Sequence, residues 1–196
     1  RSDQIEKAAD LISRSGQPVI LAGSGASCCR EELVALSERL SAPVATTPSA
    51  KGLFDEHGPL SVGVLGRLGL RCSINVFAGA DLAILIGADI TEQRLMPNVP
   101  TIQIVADPID IADDLRTEAV LAGDIKLTTH ALIDRLPARK PRDWDASNAY
   151  CDCRLEAMGE SPSHHPSLIN PRAAINALAQ HAKDDAVMTI DIGDIT

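Results

Sequence analysis

Short runs that are apolar almost throughout recur along the first two thirds of the chain. They are Pro18–Ala22, Pro43–Thr46, Leu82–Ile86, Thr101–Val105 and Ala119–Leu121. Runs this short and uniform fit strands covered on both faces. Between them the apolar positions recur at helical spacing. Ser2 is placed to cap a helix to about Ser15 that carries Ile5, Ala8, Ala9, Leu11 and Ile12 on or beside one face, and Gly16 ends it. A second helix, about Arg30 to Leu40, turns Leu33, Val34, Leu36 and Leu40 inward and leaves Glu31, Glu32, Glu38 and Arg39 on a solvated face. A third spans about Leu70 to Ala78, and a short one lies around Ile109 to Leu115. A last one, capped by Asp124, runs to about Leu136 with Leu127, Leu132, Ile133 and Leu136 inward. Strands alternating with helices predict an α/β fold: a Rossmann-like parallel sheet with helices on both faces, wound by right-handed crossovers.

One stretch breaks the rhythm. Lys51 to Gly69 is punctuated by glycines and reads as a long loop, yet it carries Leu53, Phe54, Leu60, Val62, Val64 and Leu65. A long loop this apolar is expected to fold back over the ligand edge of the sheet. A second break comes at Pro137. Residues Pro137 to Pro141 read as a linker, a polar segment with Trp144 and Tyr150 reads as a surface helix to Gly159, and Ser161 to Pro166 is linker again. Asn170-Pro171 then opens a helix to about Ala182 with Ile175, Leu178 and Ala182 inward, and Ala186 to Ile190 reads as a strand leading to Asp191-Ile192-Gly193. A lone helix and strand do not make a sheet. The expected organisation is therefore a domain over residues 1–136, a linker over 137–169 and, over 170–196, the opening of a partial second α/β domain, so that the chain reads as a piece of a longer one.

Composition narrows the classes. Aromatic residues are 2% of the 196, so the core must be aliphatic, which favours a parallel α/β sheet. A net charge of −9 argues against nucleic acid or an anionic membrane surface as partner. No apolar run approaches a membrane span, and no signal peptide is recognisable. The cysteines Cys28, Cys29, Cys72, Cys151 and Cys153 are odd in number and match neither a disulfide framework nor a zinc site; they read as reduced thiols in a cytoplasmic protein.

The chemistry-bearing stretch is Gly23-Ser24-Gly25, set between the first strand and the Glu- and Leu-rich helix. Backbone N–H groups at such a turn suit phosphate, whereas the plainer reading is that the glycines only permit a tight turn. The dinucleotide fingerprint is incomplete: Cys28 stands at the third glycine position, and Thr46-Thr47 stands where an acid would hold a ribose. A different nucleotide pose would use Gly63, Gly66 and Gly87, which lie at strand ends or in the long loop. Asp107 is placed either to accept ribose hydroxyls or to cap a helix; Lys51 either neutralises a phosphate or is solvated. No catalytic constellation stands out, and His57 and His130 read as surface residues.

Taken in order, the phrases PVILAGSGAS, EELVALSERLSAPVATT, KGLFDEHGPLSVGVLG, ADLAILIGAD, TIQIVADPIDI and VLAGDIKLTTHALIDRL resemble the central domain of thiamine-diphosphate-dependent enzymes of the acetolactate synthase and pyruvate oxidase group. INPRAAINALAQHAKDDAVMTIDIGD resembles the start of that family's diphosphate-binding domain. The resemblance implies a fragment of an enzyme acting on a 2-oxo acid, with decarboxylation followed by carboligation or oxidation, as in transferases and lyases of the group. Thiamine diphosphate and Mg2+ would be held by flanking domains of the same chain in a homodimer or homotetramer, and the fragment alone would be inactive. FAD is a further candidate cofactor, since some central domains of the group carry it. The matching positions here are Gly23, Ser24, Gly25, Thr46, Lys51, Gly63, Gly66, Gly87 and Asp107, with Gly193 facing the diphosphate. No catalytic residue and no metal ligand is implied within this chain. Two departures mark it: Ala88-Asp89-Ile90-Thr91-Glu92 replaces an Arg-Phe-Asp-Asp-Arg run, and His57-Gly58-Pro59 replaces His-Pro. The rival readings are a stand-alone nucleotide-binding regulatory module without catalysis, and a sirtuin-type deacetylase, which would require a zinc module that these cysteines do not spell.

Overall fold

A computed structural model describes residues 2–66, 69, 71–89, 96–137, 169–183, 185–187 and 189. The chain divides into two compact units, Arg1–Cys151 and Asp152–Thr196.

The first unit is built on six parallel strands: β1 (Pro18–Ala22), β2 (Val44–Thr46), β3 (Ser61–Val64), β4 (Leu82–Ile86), β5 (Thr101–Val105) and β6 (Thr117–Ala122). Their order in the sheet is β3-β2-β1-β4-β5-β6. Alternating side chains along each strand feed two cores. Ile20, Ala22, Ile84, Ile86, Ile102 and Ile104 face one core, which α1 (Ser2–Arg14), α2 (Arg30–Leu40) and α4 (Ile125–Ile133) close with Ala8, Ile12, Leu33, Leu36 and Leu132. Val19, Leu21, Ala83 and Leu85 face the other, closed by α3 (Arg71–Ala78) through Val76 and the fully buried Phe77. The aliphatic, doubly covered sheet expected from the apolar runs is thus present.

Caps and turns explain where elements begin. Asp124 accepts a hydrogen bond from the Leu127 amide at 2.8 Å and starts α4. The Asp81 carboxylate, just ahead of β4, accepts from the Ser15 hydroxyl at 2.5 Å and from the Gly16 and Gln17 amides at 2.5 and 2.7 Å. That clamp satisfies the turn from α1 into β1 and holds β1 beside β4 at their N-terminal ends.

Four readings of the first unit need correction. Lys51 to Gly69 is not all loop: Ser61–Val64 forms edge strand β3, because β2 would otherwise have no partner on that side. Its apolar residues complete the two cores rather than cover the ligand edge. Ile109 to Leu115 is not a helix; Pro108–Asp110 makes a 3-10 turn, and the crossover from β5 to β6 continues through a turn at Asp113 and Asp114. Leu127 is 69% exposed, because the cap places it on the outer side of the first turn of α4. Glu32 is buried, because α2 packs on α4 and the Glu32 carboxylate falls in the seam, 3.6 Å from Lys126 Nζ.

In the second unit the helix expected after Asn170 is present as α5 (Pro171–His181). Its expected inward residues Ile175 and Leu178 are exposed. Ala186, Val187 and Thr189, the described residues of the expected strand, are not in strand form. The linkers at Pro141 and Ser161–Pro166, the Trp144–Tyr150 segment and Asp191-Ile192-Gly193 lie outside the described residues.

Candidate active-domain cleft

The sheet order places β1 beside β4, so the chain leaves their C-terminal ends in opposite directions, β1 toward β2 and β4 toward β5. A crevice opens at such a reversal. Here it is an open cleft of about 700 Å³.

One wall is backbone packed on backbone. Gly23 N–H donates to Ile86 O at 2.9 Å, Gly25 N–H to Gly87 O at 3.0 Å, and Ala26 N–H to Gly23 O at 3.0 Å. A Cβ on Gly23 would lie 2.2 Å from Ala88 Cα and from Gly87 O. Gly87 has φ +52, and a Cβ there would meet the Gly25 carbonyl carbon at 2.6 Å. The glycines are therefore required by the contact between the two turns, before any ligand is considered. Ser24–Cys29 is a 3-10 turn, and α2 begins only at Arg30. The amides of Gly23, Gly25 and Ala26 are thus committed within the protein rather than presented at a helix N-terminus.

The other wall is the crossover from β5 to β6. Gln103, 1% exposed in the middle of β5, holds it. The Gln103 amide donates to Ala112 O at 2.9 Å and to Thr117 Oγ1 at 2.6 Å, and its oxygen accepts from Ala112 N–H at 2.9 Å. This side chain pairs with Ala112 as a neighbouring strand would. The wall that it fixes presents Asp110, Asp113 and Asp114 to the cleft, and Asp89 adds a fourth carboxylate from the end of β4. Ile109, Ile111 and Ile125 supply apolar surface. No Lys or Arg is among the described lining residues.

These features place the residues matched by a known family. The sequence profile described as "Thiamine pyrophosphate enzyme, central domain" matches residues 5–132, which is the whole six-stranded sheet. The chain belongs to the thiamine pyrophosphate enzymes. Acetolactate synthase isozyme 1 large subunit of Escherichia coli is 26% identical over 200 residues, covering 97% of this chain and 34% of that one. A probable acetolactate synthase large subunit of Methanocaldococcus jannaschii is 35% identical over 148 residues, 71% of this chain and 25% of that one. A probable 2-ketoarginine decarboxylase of Pseudomonas aeruginosa is 31% identical over 196 residues, 97% of this chain and 34% of that one. The solved structure of a presumed thiamin diphosphate-dependent enzyme from Mycobacterium smegmatis superposes with a TM-score of 0.60 over 74% of this chain and 29% of that one, at 20% identity, and shares the fold. The chain spans between a quarter and about a third of these relatives.

Within this thiamine pyrophosphate enzyme domain the expected site residues separate. Ser24, Gly25 and Gly87 line the cleft, and Gly23 sits directly behind them. Asp107 stands at the end of β5, but its Oδ1 accepts from Ile109 N–H at 3.0 Å, the capping role. Thr46 is buried in β2, and its carbonyl accepts from Leu65 N–H at 2.9 Å. Lys51 pairs with Glu56 at 2.6 Å. Gly63 and Gly66 have φ +75 and +143 and serve edge strand β3 and its exit. Thr46, Lys51, Gly63 and Gly66 are not among the cleft's lining residues. Gly193 lies outside the described residues. What the sequence reading missed is the acidic wall and its support. The run DPIDIADD directly after a strand, and a glutamine in the middle of a buried strand, are the signals that point to them.

The thiols next to this site differ. Cys28 is exposed; Cys29 is buried, and its thiol is pushed up from 9.0 to about 12, by burial first and then by Cys28 and Glu32. Among the described residues no group of three or more His, Cys, Asp or Glu side chains could hold a metal ion, and no helix is long and apolar enough to cross a membrane.

Proposed function

We propose that this chain is the middle portion of an enzyme that uses thiamine diphosphate and Mg2+ to decarboxylate a 2-oxo acid, with the acyl unit passed on in a ligation of the acetolactate synthase kind or released. The observation that carries the reading is the family match over residues 5–132, together with relatives of which the chain covers only a quarter to a third. Thiamine diphosphate supplies an electron sink for loss of carbon dioxide. In this reading the described residues of this chain would hold neither that cofactor nor its metal. Their part is to form the rigid sheet that joins the flanking domains, with the helix from Pro171 opening the next of them. Those flanking domains, and a second copy of the chain in a homodimer or homotetramer, would complete the site. FAD is left out of this proposal, because the described side chains lining the cleft include acids and no cation.

The test is turnover by the full-length protein. With thiamine diphosphate and Mg2+ it should release carbon dioxide from pyruvate or a longer 2-oxo acid, and lose that activity when the cofactor is stripped. Residues 1–196 alone should release none. A full-length protein inert across a panel of 2-oxo acids would overturn the reading.

A further inference from the structure

Resting on the family reading above, we infer that the cleft of this domain is closed to FAD and to any nucleotide carried on a diphosphate, so that the full-length enzyme works without flavin. Space is not the obstacle, since about 700 Å³ is within the range of pockets that hold sizeable ligands. The obstacle is the donor set. A diphosphate in such a crevice needs unpaired backbone amides, cations, or a bridging metal ion. Among the described residues that line the cleft there is no cation, three amides of the glycine turn are taken, and the charged side chains carry the wrong sign.

Three amides of the glycine turn are already committed: those of Gly23, Gly25 and Ala26 donate to the Ile86, Gly87 and Gly23 carbonyls. Freeing the Gly25 amide would pull apart the contact with Gly87, where a Cβ on Gly87 would already meet the Gly25 backbone at 2.6 Å. The candidate cation, Lys51, is bonded to both carboxylate oxygens of Glu56 at 2.8 and 2.6 Å and does not line the cleft. In its place the cleft presents Asp89, Asp110, Asp113 and Asp114, which repel a diphosphate. Among the described residues these acids do not gather into a group of three or more that could hold a metal ion by itself. Asp107, the candidate ribose acceptor, is engaged in its own turn. The acidic wall is also not a mobile surface that could swing aside cheaply, because the buried Gln103 side chain fixes Ala112 by paired hydrogen bonds.

The experiment uses the full-length protein purified without added flavin. Its visible spectrum should contain no flavin bands, and titration with FAD or with ADP should give no saturable change in flavin or protein fluorescence. Flavin that co-purifies in stoichiometric amount, or saturable binding of either nucleotide, overturns the inference. Carbon dioxide release that depends on thiamine diphosphate, measured on the same preparation, separates this inference from the family reading. Cofactor-dependent release from a flavin-free protein supports both. Release from a protein that carries stoichiometric flavin overturns only the inference. A protein that binds no flavin and shows no cofactor-dependent release overturns the family reading and leaves the cleft closed.

Discussion

The two walls of the cleft reach rigidity by opposite routes. The wall at the ends of β1 and β4 excludes side chains: Gly23, Gly25 and Gly87 let two turns touch through backbone alone. The wall at the end of β5 depends on one side chain, since Gln103 reaches from the middle of the strand to fix Ala112. The first therefore tolerates almost no substitution at Gly23 and Gly87 and offers little chemistry. The second can carry any residues beside its anchor, and here it carries acids. What is rigid in this site and what gives it character come from different segments.

Substitutions rank this contrast. The largest effect is expected from Gly87→Ala, which combines φ +52 with a 2.6 Å approach to Gly25. Overpacking and left-handed strain together should cost at least about 3 kcal/mol, read as loss of the thermal transition or a large fall in its midpoint. Gly23→Ala should do the same; a near-native melt for either would show that the turns can separate. Next is Gln103→Leu. It keeps the bulk but strands the Ala112 N–H and C=O, so a loss of about 2–3 kcal/mol is expected. Hydrogen exchange should rise at Ala112 far more than in β4. Equal protection at both would show that the wall does not hang from Gln103.

Gly25→Ala should fall lower, near about 1 kcal/mol, because its Cβ would meet Gly87 at 3.0–3.1 Å, a gap that a small shift relieves. A cost equal to that of Gly87→Ala would mean that the first wall has no give at all. The smallest effect concerns Cys29. Its thiol keeps its proton to about pH 12 in the fold, whereas the unfolded chain releases it near 9.0. The folded state then holds more protons over that window, so stability falls as pH rises from 9 toward 12. The loss should stay under about 1 kcal/mol in the first half unit and be absent in Cys29→Ala. At neutral pH a thiol reagent should modify Cys28 quickly and Cys29 only on unfolding. Rapid modification of both would show that the first wall opens in solution.

The first wall was far more legible in the sequence than the second. Glycines placed after an apolar run announce a tight turn, and both readings offered for them assumed one. Their purpose was ambiguous because a turn that cradles phosphate and a turn that packs on another turn need the same residues. Only the positions of the Gly25 and Gly87 backbones separate the two. The sheet was legible for a related reason: strands such as LAILI, apolar on both faces, have few other stable environments. The second wall was not. IDIADD has apolar residues at spacings that a short helix would also show, and the irregular path is chosen by a long-range partner, Gln103. Leu127 and Glu32 were misplaced for a comparable cause, since a helix's inward face is decided by its neighbours as well as by its own periodicity. Strand β3 escaped notice because SVGV contains a glycine with φ +75 and gains its order from pairing with β2.

The Gln103 anchor has a consequence for how such a domain can diverge. A helix in that crossover would have to keep an apolar stripe along its whole length, and each change on the stripe would be felt in the core. A segment pinned at one backbone position makes no such demand. Residues on either side of Ala112 can be exchanged, lengthened or recharged while the amide continues to recognise only N–H and C=O, which every amino acid except proline provides. The sheet is thereby insulated from the lettering of its own binding edge, and the cleft can acquire a new preference by drift in surface residues that cost the fold almost nothing.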